Sequence, residues 1–260
     1  LVFVQDYPPL RAMGISLFHS VAAFNNSGFD ILGNFQNLIP YQNSVMLNLT
    51  TCGLVFFGGI GFLVIREMAQ HKLKWRKYSM HAKVVLSVSG ALILAGTLLL
   101  KATEDISWLG ALFHSVSART AGFSTYPLKT FSNAGLLALT ALMFIGASPA
   151  STGGGVKTTT MGVLFLLVLS VIRGQDDVTV MKRRLPIDLM RRALSILFIS
   201  LCMLLAGTMV ITLFEQDEQD FLDLLFESTS AMATVGVSAI GTPALHQPSK
   251  LMLMLMMYFG

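Results

Sequence analysis

The 260-residue chain is 53% hydrophobic and 12% charged, with a formal net charge of +4. Soluble domains carry about twice that share of charged residues, so the composition excludes an ordinary soluble globular domain. It also argues against a nucleic-acid binder, because the positive charge sits in two connectors that alternate with acidic ones along the chain.

In chain order, LVFVQ resembles the tail of a hydrophobic helix, and the closing LMLMLMMYFG resembles the start of another, so a fragment of a longer protein is expected. Leu10–Phe24 reads as a short helix, deep enough for half a membrane but too short to cross it. A small polar loop follows, and then the uncharged run Ser44–Ile65, which reads as a spanning helix. The basic connector His71–Lys83 leads into a second uncharged run, Val84–Leu100, and KATED closes it on the acidic side. Ile106–Ala118 is the next short helix.

Ala134–Gly146 and Thr158–Ile172 are apolar segments separated by ASPASTGGGVK, a stretch hostile to helix. Basic residues from Arg173 to Arg192 precede a third long run, Ala193–Phe214. The acidic stretch Glu215–Asp223 then leads to the last short helix, Phe221–Ala233. By the positive-inside pattern, the basic connectors face the cytoplasm and the acidic ones face outward. Cys52 and Cys202 lie in apolar runs without paired spacing and read as inert packed thiols.

The short helices are copies of one another. FHSVAAFNNSGFD (18–30), FHSVSARTAGFST (113–125) and FESTSAMATVGVS (226–238) each place a glycine nine or ten residues after the leading phenylalanine, at Gly28, Gly122 and Gly236. Each copy follows an outside connector and precedes another apolar segment. Non-helical backbone at membrane depth leaves carbonyls unpaired, at several kcal/mol each, unless they line water or bind an ion. Carbonyls turned toward a shared axis can replace the hydration shell of a cation, and the negative end of each short helix favours the same charge. The pattern therefore predicts an all-α membrane protein of repeated helix–pore-helix–helix units around an ion pore.

At these residues the chain resembles the Trk/Ktr/HKT superfamily of potassium transporters, in particular the bacterial Ktr-type membrane subunit. FNNSGFD, RTAGFST and ATVGVS match the second, third and fourth filter loops of that family, and the match covers essentially the whole chain. The resemblance implies a second unit over residues 1–70, a third over 71–173 and a truncated fourth over 174–260, with the first unit missing. It implies ion-binding filter residues at Asn25, Asn26, Ser27 and Gly28, at Thr120, Ala121, Gly122 and Phe123, and at Thr234, Val235, Gly236 and Val237.

It further implies that the inner helix of the third unit is broken under the filter by a gate loop carrying Ser148, Ala150, Ser151, Thr152, Gly153, Gly154, Gly155 and Lys157. The implied activity is potassium uptake across the plasma membrane with no covalent chemistry and no cofactor, sodium either coupling to transport or permeating. The implied assembly is a homodimer in the lipid bilayer, docked on a cytoplasmic nucleotide-binding ring. Residues 72–83 and 182–192 are plausible contacts for that ring.

Other readings were weighed. GGGVKTTT is not a phosphate-binding P-loop, because Val156 separates Gly155 from Lys157. In GLVFFGGIGF (53–62) close helix packing is favoured over a role at the pore. His19 and His114, with Glu227 at the same place in the third copy, favour a hydrogen bond that fixes the pore helix over a metal or proton-relay role. Arg119 is filter-adjacent and cannot ligate a cation. Asn25 and Asn26 either lend side-chain oxygens or buttress the loop. Lys157 either binds loop carbonyls or repels potassium when the path is closed. The alternative function is a secondary transporter with re-entrant hairpins, whose repeats should alternate in orientation.

Overall fold

The structure, a computed structural model, describes every residue except Leu1, Asn34, Phe35, Leu73, Asp176, Asp177, Met181, Lys182 and 216–218, and describes 179, 180 and 183 by backbone alone. Lys182 of the second basic connector and the middle of the acidic stretch therefore lie outside the described residues. Among the described residues, ten α-helices carry the fold: α1 (Pro9–Phe24), α2 (Val45–Ile60), α3 (Phe62–His71), α4 (Met80–Thr103), α5 (Trp108–Ser117), α6 (Asn133–Phe144), α7 (Thr158–Ile172), α8 (Ile187–Glu215), α9 (Phe221–Met232) and α10 (Gln247–Phe259). Thr179–Val180 and Arg183–Arg184 pair as a minimal antiparallel ladder between α7 and α8.

Of the described helices, α4 and α8 are individually long and apolar enough to cross a membrane. Their large side chains point outward: Leu94, Leu98, Phe198, Leu205 and Met209 are all more than half exposed. The hydroxyl-bearing residues point inward, with Ser89, Ser115, Thr120, Ser148, Thr158, Ser228 and Thr229 buried. This inverts the arrangement of a water-soluble protein and is what lipid demands: hydrocarbon solvates leucine, while polar groups must find partners inside.

The short helices α1, α5 and α9 each pack along neighbouring helices. α5 packs along α4 and α2, α9 along α6 and α8, and α1 along α2. His19 on α1 is within 2.8 Å of the Thr51 hydroxyl of α2 and meets Phe123 edge-on, so it ties α1 to its neighbour. His114 is buried beside Tyr126 and Phe131, and its Nε2 has no partner among the described residues.

Helix starts follow local chemistry. Ser79, Ser107 and Ser132 cap α4, α5 and α6 by accepting from Ala82, Gly110 and Gly135 N–H. Ser132 also donates to Glu104 over 2.6 Å, and its own N–H reaches the same carboxylate oxygen, so the end of α4 is tied to the start of α6. Ser132→Ala removes the cap and the hydroxyl half of the tie, leaving the backbone N–H on Glu104. It should cost about 1 kcal/mol and lower the melting temperature by about 2–4 °C in a thermal unfolding scan in detergent.

One expectation is revised. The uncharged run Ser44–Ile65 is not one straight span, because α2 and α3 meet at an angle of 103°. Gly61 sits at the joint with φ 88° and ψ 144°, outside the helical region and accessible mainly to glycine. The hydrophobicity of the run does not change across the joint, which is why composition gives no hint of it.

Candidate ion pathway

All three repeat loops turn the same way. Gly28, Gly122 and Gly236 have φ of 64°, 80° and 87°, and the residues two places earlier, Asn26, Thr120 and Thr234, have φ of 51°, 82° and 54°. The residue between each pair has negative φ, so left-handed and ordinary residues alternate. Left-handed backbone is a genuine strain for threonine. The loops also converge. A methyl group on Gly28 would lie 2.7 Å from the Ala121 carbonyl oxygen and 2.9 Å from Gly122 Cα, and one on Gly122 would lie 2.2 Å from the Val235 carbonyl oxygen. The second loop therefore abuts the third, and the third abuts the fourth, through bare backbone.

The carbonyls divide into two groups. Phe123 O accepts from Ser117 Oγ at 2.5 Å and Val237 O from Ser230 Oγ at 2.6 Å, so both are turned back to α5 and α9. Gly122 O receives the Asn37 amide at 3.4 Å. Among the described residues, nothing donates to the carbonyls of Asn26, Ser27, Thr120, Ala121, Thr234 or Val235.

The side chains of the second loop, Asn25 and Asn26, are engaged elsewhere. Asn25 Nδ2 donates to Val21 O at 2.9 Å. Asn26, with its amide turned to donate to Val55 O and Ala23 O, accepts from the Thr120 hydroxyl at 3.1 Å. Both asparagines buttress the loop. Glu227 gathers the segment after Gly236, accepting from the Ser238 hydroxyl, from Ala239 N at 3.0 Å and from the Thr242 hydroxyl at 3.3 Å.

The break between α6 and α7 lies directly beneath these loops. Ile145 and Val156 form a parallel bridge that closes its neck. Ser148 and Thr158 hydroxyls lie 2.8 Å apart across the neck, and Ser151 donates to Ser148 O within the turn. From there the loop is tied on several sides. Ser148 N donates to Gly59 O at 3.0 Å, Thr152 N to Gly58 O at 3.4 Å, and Phe62 N to Ala150 O at 3.0 Å. Thr152 Oγ1 lies 3.4 Å from the Phe24 carbonyl at the end of α1.

Gly154 N donates to Thr234 Oγ1 at 3.1 Å, and a methyl on Gly153 would strike Thr120 Oγ1. Lys157 Nζ donates to Gly153 O at 2.8 Å, so the lysine binds a loop carbonyl. Gly155 crosses the neck with φ 72°. The glycines of GLVFFGGIGF do two things. Gly58 lets α2 meet Phe24 O closely, and Gly58 and Gly59 offer their carbonyls to the loop. Sequence reasoning saw the first role and missed the second. The signal available was three glycines placed opposite a loop that itself lacks side-chain bulk.

Among the described residues no cluster of His, Cys, Asp or Glu could hold a metal. The arrangement offers backbone oxygens, alternately turned, with a polar loop across their inner side.

Comparison with known proteins agrees with this architecture. Residues 91–260 match the TrkH family model, described as a cation transport protein. The chain is 34% identical to the Ktr system potassium uptake protein B of Vibrio alginolyticus, over 95% of this chain and 56% of that protein. It is 32% identical to the potassium/sodium uptake protein NtpJ of Enterococcus hirae, over 100% of this chain and 60% of that protein. Its fold matches the crystal structure of the potassium transporter TrkH from Vibrio parahaemolyticus, with TM-score 0.68 and 21% identity, over 100% of this chain and 57% of that one. The chain thus spans a little more than half the length of these relatives.

Proposed function

The chain belongs to the TrkH family of cation transport proteins, and from that premise we propose that it supplies three quarters of a potassium-selective pore for uptake across the plasma membrane. The units are residues 1–70, 71–173 and 174–260. The observation that carries this reading is the set of donor-free carbonyls from Asn26 to Val235 on three abutting loops. An unpaired carbonyl inside a membrane is stabilised by water or a cation, and oxygens on rigid, strained backbone dehydrate an alkali ion without any carboxylate.

The Ser148–Lys157 loop is the gate. It crosses the inner side of the path and is held there by weak, reversible hydrogen bonds. NtpJ's name, a potassium/sodium uptake protein, supports a role for sodium beside potassium. The name "Ktr system" supports a multicomponent assembly. The cytoplasmic partner is a nucleotide-binding ring that docks on residues 72–83 and 182–192, with the membrane subunit paired as a homodimer.

The test is potassium uptake by the full-length protein in cells stripped of their own uptake systems. Growth at low potassium should be restored. Gly236→Ser, which puts a side chain at φ 87°, should shift potassium affinity or the potassium/sodium preference by several-fold. Failure of the wild type to restore uptake overturns the reading.

A further inference from the structure

We propose that Arg119 is a fixed positive charge placed behind the third filter loop, where it cancels the negative end of α5 and holds down the pore's affinity for cations, divalent ions most of all. The inference rests on the pore reading above and concerns how that pore is tuned.

Arg119 lies three residues before Gly122. At the same offset the other two loops carry Asn25 and Ala233, both uncharged. Arg119 is 7% exposed. Its guanidinium reaches away from the loop to Ser89 on α4, at 3.1 Å to the hydroxyl and 3.5 Å to the carbonyl. Its Nε has no partner, and among the described residues no carboxylate comes within ion-pair distance. The space around it is walled by Val55, Phe56, Ile60, Ile93 and Val116. A buried charge is ordinarily matched by an opposite one, because leaving it unmatched is expensive. The negative pole next to it in the chain is the C-terminal end of α5, which Arg119 follows directly after the Ala118 cap. Arg119 N bonds Val116 O at the last turn of α5, and that turn carries roughly half a negative charge. A guanidinium does not lose its proton under working conditions, so the compensation is permanent.

The consequence is an electrostatic asymmetry. The third unit carries a cation immediately after its short helix, where the second and fourth carry the uncharged Asn25 and Ala233. An arginine side chain cannot place its charge much beyond about 10 Å from the loop that carries it. At that distance and an effective dielectric near 20, removing the charge should tighten binding of a monovalent ion about tenfold, and of a divalent ion about a hundredfold, because the energy scales with ionic charge. A purely mechanical tie between α5 and α4 would not produce that pairing of effects.

The experiment uses the full-length protein and measures the KM for rubidium uptake together with the inhibition constant for barium. In Arg119→Gln the rubidium KM should fall about tenfold and the barium constant about a hundredfold, while Arg119→Lys should stay within about twofold of the wild type. Ser89→Asp supplies a countercharge while keeping the arginine, and should move both constants in the direction of Arg119→Gln. If Arg119→Gln does not assemble, Ser89→Asp decides alone. Equal shifts for rubidium and barium, or no shift in either, would overturn the proposal. So would a lysine variant that behaves like the glutamine one. A wild type that transports no rubidium would instead overturn the pore reading, so the two failures are distinguishable.

Discussion

Gly122→Ala in the full-length protein should reduce potassium uptake by at least an order of magnitude without preventing membrane insertion. Two effects act together. The residue sits at φ 80°, where an L-side chain adds strain on the order of 1–2 kcal/mol. The new methyl would also lie 2.2 Å from the Val235 carbonyl oxygen, far inside contact distance. Neither neighbour can yield cheaply, since both contacts are backbone. The loop or its partner must move by about an ångström, and oxygens aimed at an ion lose their geometry over that distance. The contrast is Gly14→Ala on the exposed side of α1, where a methyl meets nothing and uptake should be unchanged. Rubidium flux at matched surface expression checks both, and near-normal flux in Gly122→Ala would remove the third loop from the ion path.

Deleting Gly153–Gly155 should raise maximal potassium flux several-fold while leaving the potassium/sodium preference within about twofold of the wild type. The deletion removes the carbonyl that receives Lys157 and the amide that reaches Thr234. What remains between Ile145 and Val156 lacks the groups that hold the loop against Thr120 and Thr234. The filter carbonyls themselves are untouched, so discrimination persists and obstruction does not. A deletion that abolished selectivity while sparing flux would reverse the roles assigned to loop and filter.

The outline of these parts was legible in the sequence for physical reasons. Pore helices declare themselves by being apolar yet too short, and the structure places them at Pro9–Phe24, Trp108–Ser117 and Phe221–Met232, within a few residues of expectation. The break between α6 and α7 declares itself because three consecutive glycines and a lysine cannot continue an apolar helix. The contacts that give these parts meaning were not legible. Gly154 and Thr234 are eighty residues apart, and nothing local marks either as the other's partner. The bend at Gly61 is silent because the chain is equally oily on both sides of it. Asn37 reaching the Gly122 carbonyl joins the outer segment of one unit to the filter of the next, a relation that only the folded chain creates. Threonine at the left-handed positions 120 and 234 runs against its own preference. Surroundings overrule propensity there, which is where function is expected to lie.

That last feature also says where the stiffness of the pore resides. A seven-residue loop with two left-handed residues, one of them threonine, would relax within nanoseconds if freed as a peptide. It keeps its shape only because adjoining quarters wall it in, glycine against carbonyl. If these loops select ions as proposed, discrimination between ions of similar radius belongs to the packed set and to no single loop. Damage to the backing of one quarter should register in the ion preference of its neighbour.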